Sequence, residues 1–255
     1  MSSLSRWAPV LWAGLLLQVP LGANPIVAYD VAAGQPGNQA WTGTIGMIFQ
    51  VNAPLTVLSL GAFDSTQDGF AGTIDVGVFA GSGPNAGLLV PGLFLSLTGS
   101  GDTLIGGSRF RNLASPVVLA PGSYVIAAQG FSASDLNGNV RCTAAITGGA
   151  CLPANAFSLS TLNTGGGLIT FGAPLGAEAN LFSPMGSGFV YPTSLLAESP
   201  AVPNAFLGGT FQFDVPTTTA APEPISFSLV GVSLLAIGLL KRRRGPGQPG
   251  PGRIL

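Results

Sequence analysis

The sequence predicts an all-β protein: a β-sandwich of jelly-roll type, flanked by an N-terminal signal helix and a C-terminal transmembrane helix. Three observations carry this prediction. Short runs rich in apolar and β-branched residues recur between turn signals at close intervals. No window from 24 to 222 holds a 3.6-residue period free of Gly and Pro, which argues against a helical fold. No internal repeat is visible, so a solenoid or propeller is disfavoured.

The elements follow in order. Residues 1–23 have the layout of a secretory signal: Arg6 supplies the positive start, Trp7 to Leu21 contain an uncharged apolar stretch, and Gly22 and Ala23 offer a cleavage point. Leu21 is larger than ideal three positions before that cut, which leaves cleavage after Ala28 as a second option. Strands are expected at Thr44 to Val51 and Leu55 to Leu60, separated by Asn52-Ala53-Pro54. Thr73 to Phe79 alternates, placing Ile74, Val76 and Val78 on one face. Val117 to Leu119, then Pro121-Gly122, then Tyr124 to Ala127 reads as strand, turn, strand. Thr210 to Val215 alternates again, with Phe211, Phe213 and Val215 inward. The stretch from Gly148 to Gly188 is rich in Gly, Pro, Asn and Ser and gives weak strand signals.

Ile225 to Leu240 is a sixteen-residue run without charge, followed at once by Lys241, Arg242, Arg243 and Arg244. At 1.5 Å per residue a helix of that length reaches about 24 Å, short of a ~30 Å hydrocarbon core. Slight bilayer thinning and snorkelling arginines close the gap. The four cations mark the cytoplasmic side. Residues 24–222 are then outside, in agreement with the N-terminal signal. The expected organisation is a signal peptide (1–23), an exported β-sandwich (24–216), a linker (217–221), the C-terminal signal (222–244) with its helix at 225–240, and a disordered cytoplasmic tail (245–255).

Composition narrows the function. The chain has 255 residues, 47% hydrophobic and 7% charged, with no histidine, and a mean hydropathy of +0.52. Disorder driven by charge is therefore excluded. Imidazole chemistry is absent, and with it the commonest metal ligand. Residues 24–222 carry only Arg109, Arg111 and Arg141 against nine acids, so nucleic acid is not an expected partner. A Ser-His or Ser-Lys nucleophile pair has no base in this region, since the only lysine is Lys241. The protein reads as a non-enzyme.

Three weaker signals remain. Asp64, Thr66, Asp68 and Asp75 place oxygens at positions 1, 3, 5 and 12 of a calcium-like loop, with Gly69 at position 6. Position 12 lacks the usual glutamate, and Asp and Gly are also ordinary turn residues. Asp135-Leu136-Asn137-Gly138-Asn139 is a second oxygen-rich turn. No cofactor is required, with calcium as the one candidate. Cys142 and Cys151 close a short loop; in an oxidising compartment a disulfide there acts as a staple worth ~2–3 kcal/mol in the chain-entropy model. Among the exposed-aromatic candidates for glycan contact, Trp41 stands first, beside Tyr29, Tyr124 and Tyr191.

The C-terminus, with Pro222-Glu223-Pro224 ahead of the apolar run and Lys241 to Arg244 behind it, resembles the PEP-CTERM sorting signal of Gram-negative bacteria. The resemblance covers roughly thirty residues, with the three parts in the expected order. It implies recognition by an exosortase, a membrane cysteine protease that cuts near the motif, and association with exopolysaccharide and biofilm matrix. Gly245 to Leu255 departs from the family, which usually stops soon after the arginines. The runs Asn38 to Trp41, Gly46-Met47, Leu60 to Asp64 and Leu119 to Tyr124 look like a domain frequent in exported PEP-CTERM proteins, without a defined activity. The implied history is transient anchoring in the bacterial inner membrane, with the domain facing the periplasm. Cleavage then moves the protein to the cell surface or extracellular matrix. A carbohydrate-binding module, supported by calcium and associated with exopolysaccharide, is the alternative.

Overall fold

The computed structural model describes residues 24–140, 142, 159–172, 179–196 and 204–214. Within them the regular structure is all strand. In chain order the strands begin with β1 (Ile26–Val27), β2 (Tyr29–Asp30), β3 (Ile45–Val51), β4 (Leu55–Phe63), β5 (Phe70–Ala80) and β6 (Leu89–Gly99). Next come β7 (Thr103–Ile105), β8 (Ser108–Leu119), β9 (Gly122–Gln129), β10 (Gly138–Asn139) and β11 (Thr161–Leu162). The last are β12 (Ile169–Phe171), β13 (Asn180–Phe182), β14 (Ser194–Leu195), β15 (Phe206–Leu207) and β16 (Gly209–Asp214). No helix among the described residues is long and apolar enough to cross a membrane.

Two antiparallel sheets enclose the core, and the pairs β10-β15 and β11-β2 form two small two-stranded sheets beside them. The smaller of the enclosing sheets runs β1-β16-β4-β8-β7; the larger runs β14-β13-β3-β9-β5-β6, with β12 also paired to β3. Alternation dictates the packing. On β5, Ile74, Val76 and Val78 are fully buried, and on β3 so are Ile45, Met47 and Phe49. Leu60, Phe211 and Phe213 meet them from the smaller sheet within the same apolar cluster. The Phe49 and Phe211 rings lie 4.9 Å apart and bridge the two layers. Each such side chain contributes about 1.5–3 kcal/mol of burial, so the inward faces of β3, β5 and β16 dominate stability.

The outward face of the larger sheet is not simply solvated. Phe79, Val125, Ala127 and Leu181 form a second cluster under Phe189 and Tyr191. The chain after β13 thus lies over the sheet, which explains why Phe79 is buried despite sitting opposite Ile74, Val76 and Val78.

The sequence pattern picks out β3, β5, β9 and β16 but not β6 or most of β8. Both carry prolines that read as breakers: Pro91 with Gly92 in β6, and Pro116 in β8. In the structure each proline falls in a register shift. Phe79 pairs with Leu89 and Gly77 with Phe94, so Val90 to Leu93 bulge out, with Gly92 at φ +81°. Val57 pairs with Val117 and Ser59 with Asn112, leaving Leu113 to Pro116 outside the ladder. A bulge frees the proline from donating a ladder hydrogen bond, and β6 lies at a sheet edge as well.

The described residues belong to one unit that ends at Pro216. Its first and last strands are neighbours: Ile26 pairs with Phe213 and Val27 with Gln212. The pairing is antiparallel, so the chain enters at Asn24 and leaves after Asp214 at the same end of the sandwich.

Candidate functional site

The predicted calcium loop is a turn locked by an arginine. Asp64 follows β4 and is 2% exposed; Arg109 on β8 is 6% exposed. Arg109 Nε donates to Asp64 Oδ2 at 2.6 Å. Its Nη1 donates to the carbonyls of Ser100 and Asp102, and its Nη2 to that of Gln67. The Asp64 carboxylate also accepts from the backbone N–H of Gln67 (2.9 Å) and of Gly69 (3.0 Å). One buried guanidinium therefore ties the 64–69 turn to the 100–102 turn. Gly69 has φ +103°, and a Cβ there would lie 2.7 Å from the backbone of Gly99, so the two turns touch without room for a side chain.

The other proposed ligands are used elsewhere. Thr66 Oγ1 donates to Asp68 within the turn. Asp75 stands on β5, in register with Gln129 of β9 and Ser96 of β6, and accepts from Ser96 Oγ at 2.5 Å. No three His, Cys, Asp or Glu residues gather into a metal-holding group among the described residues. In this arrangement Arg109 supplies the positive charge at Asp64, and Asp75 stands on β5 between Gln129 and Ser96.

The second oxygen-rich turn is also a latch. Asp135 Oδ1 accepts from Ala71 N and Oδ2 from Gly72 N, both at 2.9 Å. These two residues lie in the register shift of β5 between Phe70 and Thr73, where the ladder to β6 is interrupted. The carboxylate takes the place of the missing strand partner. Asn137 donates to Gln39 Oε1 at 2.8 Å and accepts from Trp41 N. Asn38 and Asn139 exchange two further bonds. All four amide residues are buried.

Trp41 is partly buried and packs against the main core. Its indole N–H donates to the Ser183 carbonyl, and its ring meets Phe182 edge-on at 5.6 Å. Together with Gln39, Ile45 and Phe206 it lines a cavity of ≈ 40 Å³. That volume admits a few waters and is far below an ordinary ligand pocket of roughly 300 Å³ or more. Trp41 sits at the edge of the core in this fold, partly buried against it. Tyr29 is fully buried and donates to the Ile48 carbonyl, and burial pushes its phenol well above the ordinary value.

Sequence reasoning missed a sizeable recess among these residues. A groove of ≈ 370 Å³ opens between the β5–β6 hairpin and the β8–β9 turn, lined by Asn85, Leu88, Leu89, Val118 and Tyr124 among others. Leu88 is 59% and Val118 66% exposed. Tyr124 donates to the Ala120 carbonyl across the turn, and partial burial raises its pKa. The turn residues were visible in the sequence, but their convergence depends on strand order.

No cysteine among the described residues is a free thiol, Cys142 included; its expected partner Cys151 lies outside them. The same holds for the signal peptide (1–23), the linker (217–221), the sorting motif Pro222-Glu223-Pro224, the helix at 225–240, the basic residues Lys241 to Arg244 and the tail (245–255). No protein-family description matches the chain, and no curated protein matches it.

Proposed function

We propose that this is a non-enzymatic exported β-sandwich protein, held at the bacterial inner membrane by its C-terminal segment and released by an exosortase-like protease to the cell surface or extracellular matrix. One observation carries the reading: the folded unit closes on itself through the Ile26–Phe213 and Val27–Gln212 pairs. Residues 1–23 and those beyond Pro216 are then free to serve targeting and sorting, and cleavage near Pro222 to Pro224 leaves the sandwich intact. A cut after Ala23 preserves β1, whereas a cut after Ala28 removes it. The charged groups singled out for chemistry serve as internal latches, in keeping with a structural or matrix role. Cys142 and Cys151 form the staple of a long connection. The strand order supports the jelly-roll form, because β1-β16-β4-β8 faces β3-β9-β5-β6 as two interleaved Greek keys require.

The test is the intact mass of the mature protein recovered from cell surface and medium. Loss of both ends, with a new C-terminus near Pro222 to Pro224, supports sorting. Retention of Leu255 in every recovered species overturns it.

Glycan binding remains a second reading on one observation. Phe94 is 42% exposed and its ring lies 5.2 Å from that of Phe189, which continues to Phe79 on the outer face of the larger sheet. Such rings offer a stacking surface that Trp41 does not. Retention on exopolysaccharide that survives Trp41→Phe and chelator but is lost in Phe94→Ala supports it; equal retention of Phe94→Ala and parent overturns it.

A further inference from the structure

Charge is segregated along the sandwich. At one pole, Val51 pairs with Gly122, Leu55 with Leu119, Gly81 N donates to the Ser123 carbonyl and Asn52 N to the Leu168 carbonyl. The connections gathered there are 52–54, 81–88, 120–121 and 163–168, and none contains a charged residue. Pro54, Pro84 and Pro121 are exposed on them. The apolar groove opens at this pole, and Leu88, Leu89 and Val118 stand exposed on its rim by 59, 38 and 66%. Asp30, Asp64, Asp68, Asp102, Arg109 and Asp135 lie at the other pole, around the turns that Arg109 and Asp135 tie together. Both chain ends also leave from the uncharged pole. Asp214, its one charged residue among those described, is in register with Thr56, next to Leu55 and the Leu119 pair.

We infer that this pole is a bilayer-docking face, which rests the exposed Leu88, Leu89 and Val118 in the lipid interface while the chain is anchored. The inference builds on the anchoring reading above and adds an orientation to it. Ten residues (215–224) separate Asp214 from the apolar run, reaching at most about 34 Å when extended. Tethering at that range converts a weak apolar contact into an intramolecular one at an effective concentration on the order of millimolar. Connections without charge lose no ion hydration on approaching lipid, whereas the opposite pole would bring the exposed Asp68 and the partly exposed Asp30 and Asp102 out of water. The pole that enters the interface is therefore decided by charge as well as by the chain ends. Cleavage of the tail removes the tether and with it the docking, so release needs no separate switch.

The experiment uses the full chain in vesicles of phosphatidylethanolamine and phosphatidylglycerol with brominated acyl chains. Leu88→Trp and Val118→Trp add an indole at the docking pole, and Ser134→Trp adds one at the charged pole as control. All three positions are exposed, which makes the variants tolerable to the fold. The expected result is quenching and a blue shift of the added emission for the first two variants, absent from the third. Chains that float with the vesicles but show no quenching at either position overturn docking and leave anchoring in place. Chains that do not float overturn both. A blue shift that persists without vesicles overturns lipid docking in favour of self-association through this pole.

Discussion

Replacing Arg109 by Met separates the latch from the calcium loop. The guanidinium is nearly solvent-free and makes four hydrogen bonds, one to Asp64 and three to backbone carbonyls of two turns. Removing one partner of a buried ion pair costs about 3–5 kcal/mol, because the other charge stays behind unpaired. For a domain of this size each kcal/mol moves the Tm by about 2–4 °C, so Arg109→Met lowers it by roughly 6–20 °C. Asp64→Asn loses stability for the same reason, leaving Arg109 unpaired. The double variant loses less than the sum of the two, by about 1–3 kcal/mol, since residues in one network couple. Thermal unfolding followed by circular dichroism measures all three. Calcium occupying this turn at a hundred times its Kd would instead add about 2.7 kcal/mol. No such rise is expected. The reasoning is refuted if Arg109→Met costs under about 1 kcal/mol, the scale of an ordinary surface change. It is refuted equally if calcium raises the Tm by several degrees in the parent and not in Asp64→Asn.

Three further outcomes follow from the same contacts. Asp135→Ala strips both acceptors from the β5 bulge and costs about 2–4 kcal/mol, with the amides of Ala71 and Gly72 losing protection in hydrogen exchange before the rest of β5. Tyr29 is held neutral by burial, with its pKa raised above the ordinary 10.0. The folded state thus binds the phenolic proton more tightly than the unfolded chain. Its contribution is complete below pH 10 and lost as pH climbs towards the folded value, so Tyr29→Phe flattens alkaline unfolding while forfeiting about 1 kcal/mol at neutral pH. Trp41→Phe loses the bond to Ser183 and part of the packing over its cavity, which destabilises by about 1–2 kcal/mol with exopolysaccharide retention unchanged. A denaturation midpoint and a pull-down check the pair of claims.

The sequence revealed the strands whose alternation is clean and local. Ile74, Val76 and Val78, or Phe211 and Phe213, declare a face within a few residues, and turn signals bound them. β6 and the part of β8 before Val117 were hidden because Pro91 and Pro116 argue against a strand until a partner's register shows them inside bulges. The acidic turns were visible as oxygen-rich spacings, but not as latches. The partners that decide this are Arg109, 45 residues from Asp64, and Ala71, 64 residues from Asp135. Likewise the uncharged connections at 52–54, 81–88 and 163–168 are plain in the sequence, yet only strand order brings them to one pole. Trp41 stands out in the sequence by residue type alone, whereas its contacts with Ser183 and Phe182, over 140 residues away, emerge only from the fold.

The central claim is that the folded unit is self-contained between Ile26 and Asp214, with the flanking segments reserved for sorting. It is tested most directly by unfolding the fragment 24–216 beside the full chain and beside a fragment beginning at Tyr29. A self-contained unit predicts one cooperative transition for 24–216, with hydrogen-exchange protection of β3, β5, β9 and β16 equal to that in the full chain. The shorter fragment, lacking the Ile26–Phe213 and Val27–Gln212 pairs, melts lower. If 24–216 fails to fold cooperatively, or gains its protection only when residues 217–255 are present, the claim is contradicted.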